Sequence, residues 1–153
     1  MKTIAIAEQT NSADIDKANI TPENKCSFCK NSICCTYITQ QIETPHSKLD
    51  YMNLLWQVSH EHVSIFKDEN GWFLLIDGKC SHLQPDGRCG IYDSRPPACS
   101  EHSNDYCEFD EPAEAAFKLF FPTYDSLLEH CKKKFKNWDG KSGKKKKAKQ
   151  KKK

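Results

Sequence analysis

Eight of the nine cysteines in this 153-residue chain fall in two groups that sit among turn-forming residues instead of apolar runs. The first group, Cys26, Cys29, Cys34 and Cys35, occupies the ten residues CSFCKNSICC. Two residues between Cys26 and Cys29 allow a tight turn that points both sulfurs at one cation. Cys34 and Cys35 are adjacent, so their side chains diverge. Both reach one ion only in a bent loop, and otherwise they serve two neighbouring ions. The second group is Cys80, Cys89, Cys99 and Cys107, with eight, nine and seven residues between successive members. The paired CxxC…CxxC of a zinc ribbon is absent. Eight thiolates in two groups suit two four-ligand sites, one dinuclear site, or an iron–sulfur cluster held by four cysteines with the others structural.

Charge sets the terms for any such site. Four thiolates on one divalent cation leave a net charge near minus two, which a partly buried place tolerates only with N–H donors or cations nearby. Gly87, Gly90 and Arg95 are placed in sequence to supply them. His82 and His102, two and three residues past Cys80 and Cys99, are further candidates as an added ligand or a hydrogen-bond donor to one. His60 and His62 flank Glu61 without the His-Glu-x-x-His spacing of a zinc protease, and a helix-terminal role suits them better. Asp86, Asp93, Asp105 and Glu108 read as a solvated acidic face. Cys131 lies on an apolar stripe, where a free cysteine acts as a small hydrophobe. No GxSxG, P-loop or strand-linked GxGxxG is present.

Cysteine is too frequent here for an ordinary core, and its number is odd. The short run Ile4–Ala7 stops at Glu8, well short of the ~7–15-residue apolar region of a secretory signal. The chain is therefore expected in the reducing cytoplasm, where metal ligation is a better reading than disulfides. No run approaches the roughly 18 consecutive apolar residues of a membrane span. The formal charge of +2, from 23 basic and 21 acidic residues, conceals a division. Residues 140–153, GKSGKKKKAKQKKK, hold nine lysines and no acid, which leaves 14 basic and 21 acidic side chains, a net of −7, in residues 1–139.

The elements that must position the cysteines are short. Thr44 and Pro45 read as the cap and first turn of a helix through His60, with Leu49, Met52, Leu55 and Trp56 on its buried face. VSIFKDENGWFLLI reads as a β-hairpin turning at Asn70-Gly71. Prolines 96 and 97 make residues 80–107 a structured loop. AEAAFKLFF reads as a short helix ending at Pro122. An amphipathic helix follows, with Tyr124, Leu127, Leu128, Cys131, Phe135 and Trp138 on one stripe, closed by Gly140. Residues 1–24 read as a flexible arm, 25–139 as the cysteine-cluster domain, and 140–153 as a lysine-rich tail unable to fold alone because like charges repel.

CSFCKNSICC at 26–35 and CSHLQPDGRCGIYDSRPPAC at 80–99 together resemble the bacterial cysteine-cluster family named for its CxxCxxCC motif, the YkgJ-like zinc- or iron-chelating proteins. The likeness takes in Cys-x-Ile-Tyr, Arg-Pro-Pro, Gly71-Trp72 and Cys107-Glu108, and spans about residues 25–138. Two positions depart from the pattern: four residues separate Cys29 from Cys34 where the namesake motif has two, and Ser100 follows Cys99 where many members have arginine. The resemblance implies chelation by Cys26, Cys29, Cys34 or Cys35, Cys80, Cys89 and Cys99, without implying a reaction.

The sequence thus predicts a small α+β domain with helices, one β-hairpin and ligand-bearing loops, binding iron, as an ion or an iron–sulfur cluster, or alternatively zinc, through all eight clustered cysteines. A cluster-dependent redox or methyl-transfer enzyme that modifies proteins is the competing reading. The tail adds an expected acidic or nucleic-acid partner, held with strong salt dependence.

Overall fold

The computed structural model describes residues 19–138 apart from 30, 31, 103, 104 and 106. The N-terminal arm through residue 18 and the tail from Asp139 lie outside the described residues. Four strands, β1 (Tyr37–Ile42), β2 (Val63–Lys67), β3 (Trp72–Asp77) and β4 (Leu119–Phe121), form one antiparallel sheet in the order β1-β3-β2-β4. Two eleven-residue helices, α2 (Lys48–Val58) and α4 (Tyr124–Lys134), pack on it, and two single-turn helices, α1 (Lys25–Phe28) and α3 (Pro97–Ser100), lie in the cysteine-bearing loops. The mixed α+β class expected from sequence is the one observed. No described helix is long and apolar enough to cross a membrane.

The β2–β3 hairpin forms where Asn70-Gly71 predicts it. Asp68 closes the turn by accepting from the N–H groups of Asn70 at 2.7 Å and Gly71 at 3.0 Å. Gly71 has φ +144°, open to glycine and strained for other residues. Two elements were not foreseen. β1 adds to the free edge of β3, in register from Tyr37 opposite Asp77 to Ile42 opposite Trp72. The segment AEAAFKLFF is not a helix: only Ala113–Ala116 coil, as a 3-10 turn, and Leu119–Phe121 become edge strand β4 beside β2. Its aromatic residues gain more from pairing with a sheet that has an open edge than from one isolated turn of helix.

The first long helix starts later than expected. Its cap is Ser47, not Thr44, because Ser47 and Asp50 form a reciprocal capping box. Its buried face is also rotated: Tyr51, Leu54, Leu55 and Val58 are buried, while Leu49 and Trp56 are exposed. Both sets have helical spacing, so periodicity could not choose between them. Contact with α4 and the sheet does. Thr123 and Ser126 cap α4 in the same reciprocal way. α4 ends at Lys134 instead of running to Gly140, and the chain turns at Asn137, φ +64°.

One core lies between the helices and the sheet face carrying Ile65, Trp72, Leu74 and Phe121. Tyr51, Leu127 and Cys131 are fully buried in it. Cys131 is thus the core thiol that its place on the apolar stripe implied. The opposite face of the sheet carries a second aromatic group, with Phe66 stacked on Phe73 and Phe117 at 5.0 and 4.2 Å between centroids.

Two predictions follow from the packing. Leu127→Ala removes a fully buried side chain and is expected to cost about 2–5 kcal/mol, read from the urea midpoint. His130 stacks on Tyr51 and meets Phe121 edge-on, and burial, with Lys134 and Lys133 assisting, holds its pKa below the ordinary 6.5. The unfolded chain takes up this proton first. The His130 contribution should therefore be fully present above pH 6.5 and fall away as pH drops from 6.5 toward the lower folded-state value. His130→Gln should flatten that part of the stability-against-pH curve measured by thermal unfolding.

Candidate metal centre

β1 and β3 carry the two cysteine groups to one end of the sheet. Their ladder continues past Tyr37 and Asp77: Gly78 N–H donates to Thr36 O at 2.8 Å, and Cys80 N–H donates to Cys35 O at 2.7 Å. The backbone of the second group is thereby bonded to that of the first. Cys34 and Cys35 themselves lie in a 3-10 turn, Ile33–Cys35, which leads into β1. That is the bent local geometry two adjacent cysteines need if both are to face one region.

The next cysteine is positioned by a small second hairpin. Leu83 and Cys89 bridge in antiparallel fashion, Gln84 N–H donates to Arg88 O at 2.8 Å, and the turn between them is Pro85-Asp86-Gly87. Gly87 takes φ +82°, and Asp86 Oδ1 accepts from Arg88 N–H. The Ser32 hydroxyl donates to Gly87 O, which clips this hairpin to the first cysteine group. Cys99 sits on α3, started by Pro97, which fits a first helical turn because it needs no N–H there. On the other side, Cys26 lies in α1, and Cys29 ends that turn with its N–H bonded to Lys25 O.

Burial first raises the Cys35 thiol; Cys34, through a hydrogen bond, opposes the rise, and Cys80, Cys89 and Cys99 add to it. Cys34 is also pushed up, first by burial and then by Cys35, Glu108 and Cys29. All nine cysteines are free thiols, and of the eight clustered ones none is fully buried. Among the described residues, no three His, Cys, Asp or Glu side chains stand close enough together to form a finished ligand set.

Cys107 belongs to the rim of this region. Its N–H donates to Asp110 Oδ2 at 3.1 Å, and the same oxygen accepts from Lys25 Nζ at 2.7 Å. Lys25 also donates to Asp105 O at 3.3 Å and is only 6% exposed. Hydrogen bonding to Asp110 raises the Lys25 pKa, and the reverse of that contact lowers the Asp110 pKa. A buried ammonium thus ties the residues just before Cys26 to the loop carrying Cys107. The Tyr37 hydroxyl, bonded to Glu108, makes a second tie between β1 and that loop.

The charge partners expected from sequence are otherwise engaged. The Arg95 guanidinium lies 3.8 Å over the Tyr92 ring, with its Nε bonded to Tyr92 O. The N–H groups of Gly87 and Gly90 donate to Gln84 O and His82 O. Lys25 is a buried cation in the loop region of Cys107 that sequence reasoning missed; its signal was adjacency to Cys26. His60 closes the end of α2 through Nδ1, 2.9 Å from Trp56 O.

A family model described as "CxxCxxCC: Putative zinc- or iron-chelating domain" matches residues 25–141. No curated protein matches the chain, and no solved structure does.

Lys25→Met removes the tie without adding bulk. Amide hydrogen exchange around Cys107–Asp110 should quicken in this variant while the β2–β3 hairpin keeps its protection. Equal loosening of both would show that Lys25 stabilises the whole fold.

Proposed function

Because the chain belongs to the CxxCxxCC family of zinc- or iron-chelating domains, we propose that its role is to hold a thiolate-ligated metal where the two cysteine groups meet. The observation that carries this reading is the backbone bond from Cys80 N–H to Cys35 O at 2.7 Å, which holds the second cysteine group against the turn that carries Cys34 and Cys35. Four thiolates from separate elements repel one another, and a bound cation relieves that repulsion. Cys29, Cys34, Cys35, Cys80, Cys89 and Cys99 are the proposed inner donors. Cys26 and Cys107 lie on the Lys25 side, where they serve a second ion or the rim of a larger cluster.

Iron, bound as an ion or an iron–sulfur cluster, is the preferred metal, and zinc is the alternative. Thiolates suit both, while the spacing departs from that of a zinc ribbon. Iron would supply one-electron chemistry or a redox-sensitive link between the loops, whereas zinc would supply a structural one. The cysteine-cluster unit at 25–139 is the part concerned, and an odd count of nine cysteines favours a reducing compartment such as the cytoplasm.

Anaerobic purification with metal analysis and an absorption spectrum tests the reading. A coloured protein with thiolate-to-iron charge transfer selects iron, and a colourless one with stoichiometric zinc selects zinc. Cys35→Ser should abolish or sharply reduce metal content, and Cys131→Ala should leave it intact because Cys131 is sealed in the core. Metal-free wild-type protein with fully protected loops would overturn the proposal. Chelation should increase hydrogen exchange in residues 26–35 and 80–107, while α2, α4 and the central strands, held by their own apolar core, stay protected.

A further inference from the structure

Lysine is rarely buried unless it is paired, and Lys25 is 6% exposed. It opens α1, the single turn that carries Cys26, and its carbonyl accepts from Cys29 N–H at 3.1 Å. Its Nζ donates to Asp110 Oδ2 at 2.7 Å, and the same oxygen accepts from Cys107 N–H at 3.1 Å. Asp110 and Glu111 donate their own N–H groups to Cys107 O at 2.9 and 3.3 Å, which closes the turn that begins at Cys107. Through Lys25, the backbone of Cys29 is thereby connected to that of Cys107. From the other direction, Tyr37, two residues after Cys35 at the start of β1, donates its hydroxyl to Glu108, the neighbour of Cys107. Cys107 is therefore tied to both halves of the first cysteine group, whose Cys35 O holds Cys80 N–H.

We propose that Lys25 and Asp110 are positioning residues that hold Cys107 beside the first cysteine group as a further thiolate ligand. This rests on the metal centre proposed above and adds to it the pair of residues that places its last cysteine, which lies beyond the donors implied by the family pattern. Desolvating an ammonium and a carboxylate offsets most of their attraction, so a pair of this kind contributes little net stability. What it adds is geometry. The carboxylate has to lie where it reaches both the ammonium and the Cys107 N–H, and that fixes the Cys107 backbone relative to α1. A thiolate ligand needs such fixing, because repulsion from neighbouring thiolates swings an untethered loop outward before a cation arrives. Tyr37 restrains the same loop from the β1 side.

The test uses the full-length protein, reduced and then loaded anaerobically with zinc, which thiolates ligate whichever metal is native. Iodoacetamide alkylates free thiolates and coordination shields them, so tandem mass spectrometry with and without zinc gives a protection ratio at each cysteine. In the wild type, zinc should protect Cys107 together with Cys35 and Cys80. Lys25→Met and Asp110→Asn should each lower the Cys107 ratio about tenfold while Cys35 and Cys80 stay protected. Lys25→Arg, which keeps the charge, should restore most of the loss. Circular dichroism checks that each variant keeps the wild-type fold, and Tyr37→Phe, which removes only the tie to Glu108, loosens the same loop independently. Protection of Cys35 and Cys80 without Cys107 in the wild type overturns the inference and leaves the metal reading intact. So does undiminished Cys107 protection in the variants, or a loss spread evenly over all eight clustered cysteines, which would make the ion pair a support of the whole fold. If zinc protects no cysteine, the metal reading fails and this inference with it.

Discussion

The pairing of β1 with β3 is the constraint on which the rest of this molecule depends. Its register sets Tyr37 opposite Asp77, and the two hydrogen bonds beyond it lock Thr36 to Gly78 and Cys35 to Cys80. A one-residue slip would send every β1 side chain to the other face of the sheet and carry Cys35 away from Cys80. The register is pinned at its far end, where Ile42 pairs with Trp72 and packs against the core. Apolar burial at one end of a strand thereby fixes the backbone pairing of Cys35 with Cys80 at the other.

Bringing so many thiols together creates an electrostatic problem that the protein answers only in part. Burial raises the cost of ionising Cys34 and Cys35, and neighbouring thiols add to it. Among the described residues, Lys25 is a buried ammonium held beside Cys107 by Asp110 and the Asp105 carbonyl, and it orders that loop. The proposed metal would add positive charge where the two cysteine groups approach, and its ligation would complete the order of these loops.

The apolar residues are divided with similar economy. Core formation consumes one face of α2 and one stripe of α4, and a separate phenylalanine stack covers the far face of the sheet. Trp56 and Tyr124 take part in neither burial and stand exposed along a groove between the two long helices. The cysteine-bearing region at one end of β1 and β3 and the groove between α2 and α4 are therefore built from different elements.

Some of this was legible in the residues alone. Asn70-Gly71 dictates a turn because the chain there needs a conformation that glycine adopts freely, and the hairpin follows. The two cysteine groups, the buried place of Cys131 and the basic end of the chain are likewise local or compositional facts. Tertiary contact decided what local pattern could not. Tyr51, Leu54, Leu55 and Val58 and the set containing Leu49, Met52 and Trp56 are equally helical in period, and only packing against α4 and the sheet selects the first for burial. β1 and β4 are short strands whose stability comes from partners more than twenty residues away, so no window of sequence contains the reason for them. Lys25 is one residue from Cys26 in sequence, yet its partner Asp110 is reached only once the chain has folded back on itself. The chain's own residues determined which donors are present and roughly where the turns fall, and the long-range pairing of strands decided which donors meet.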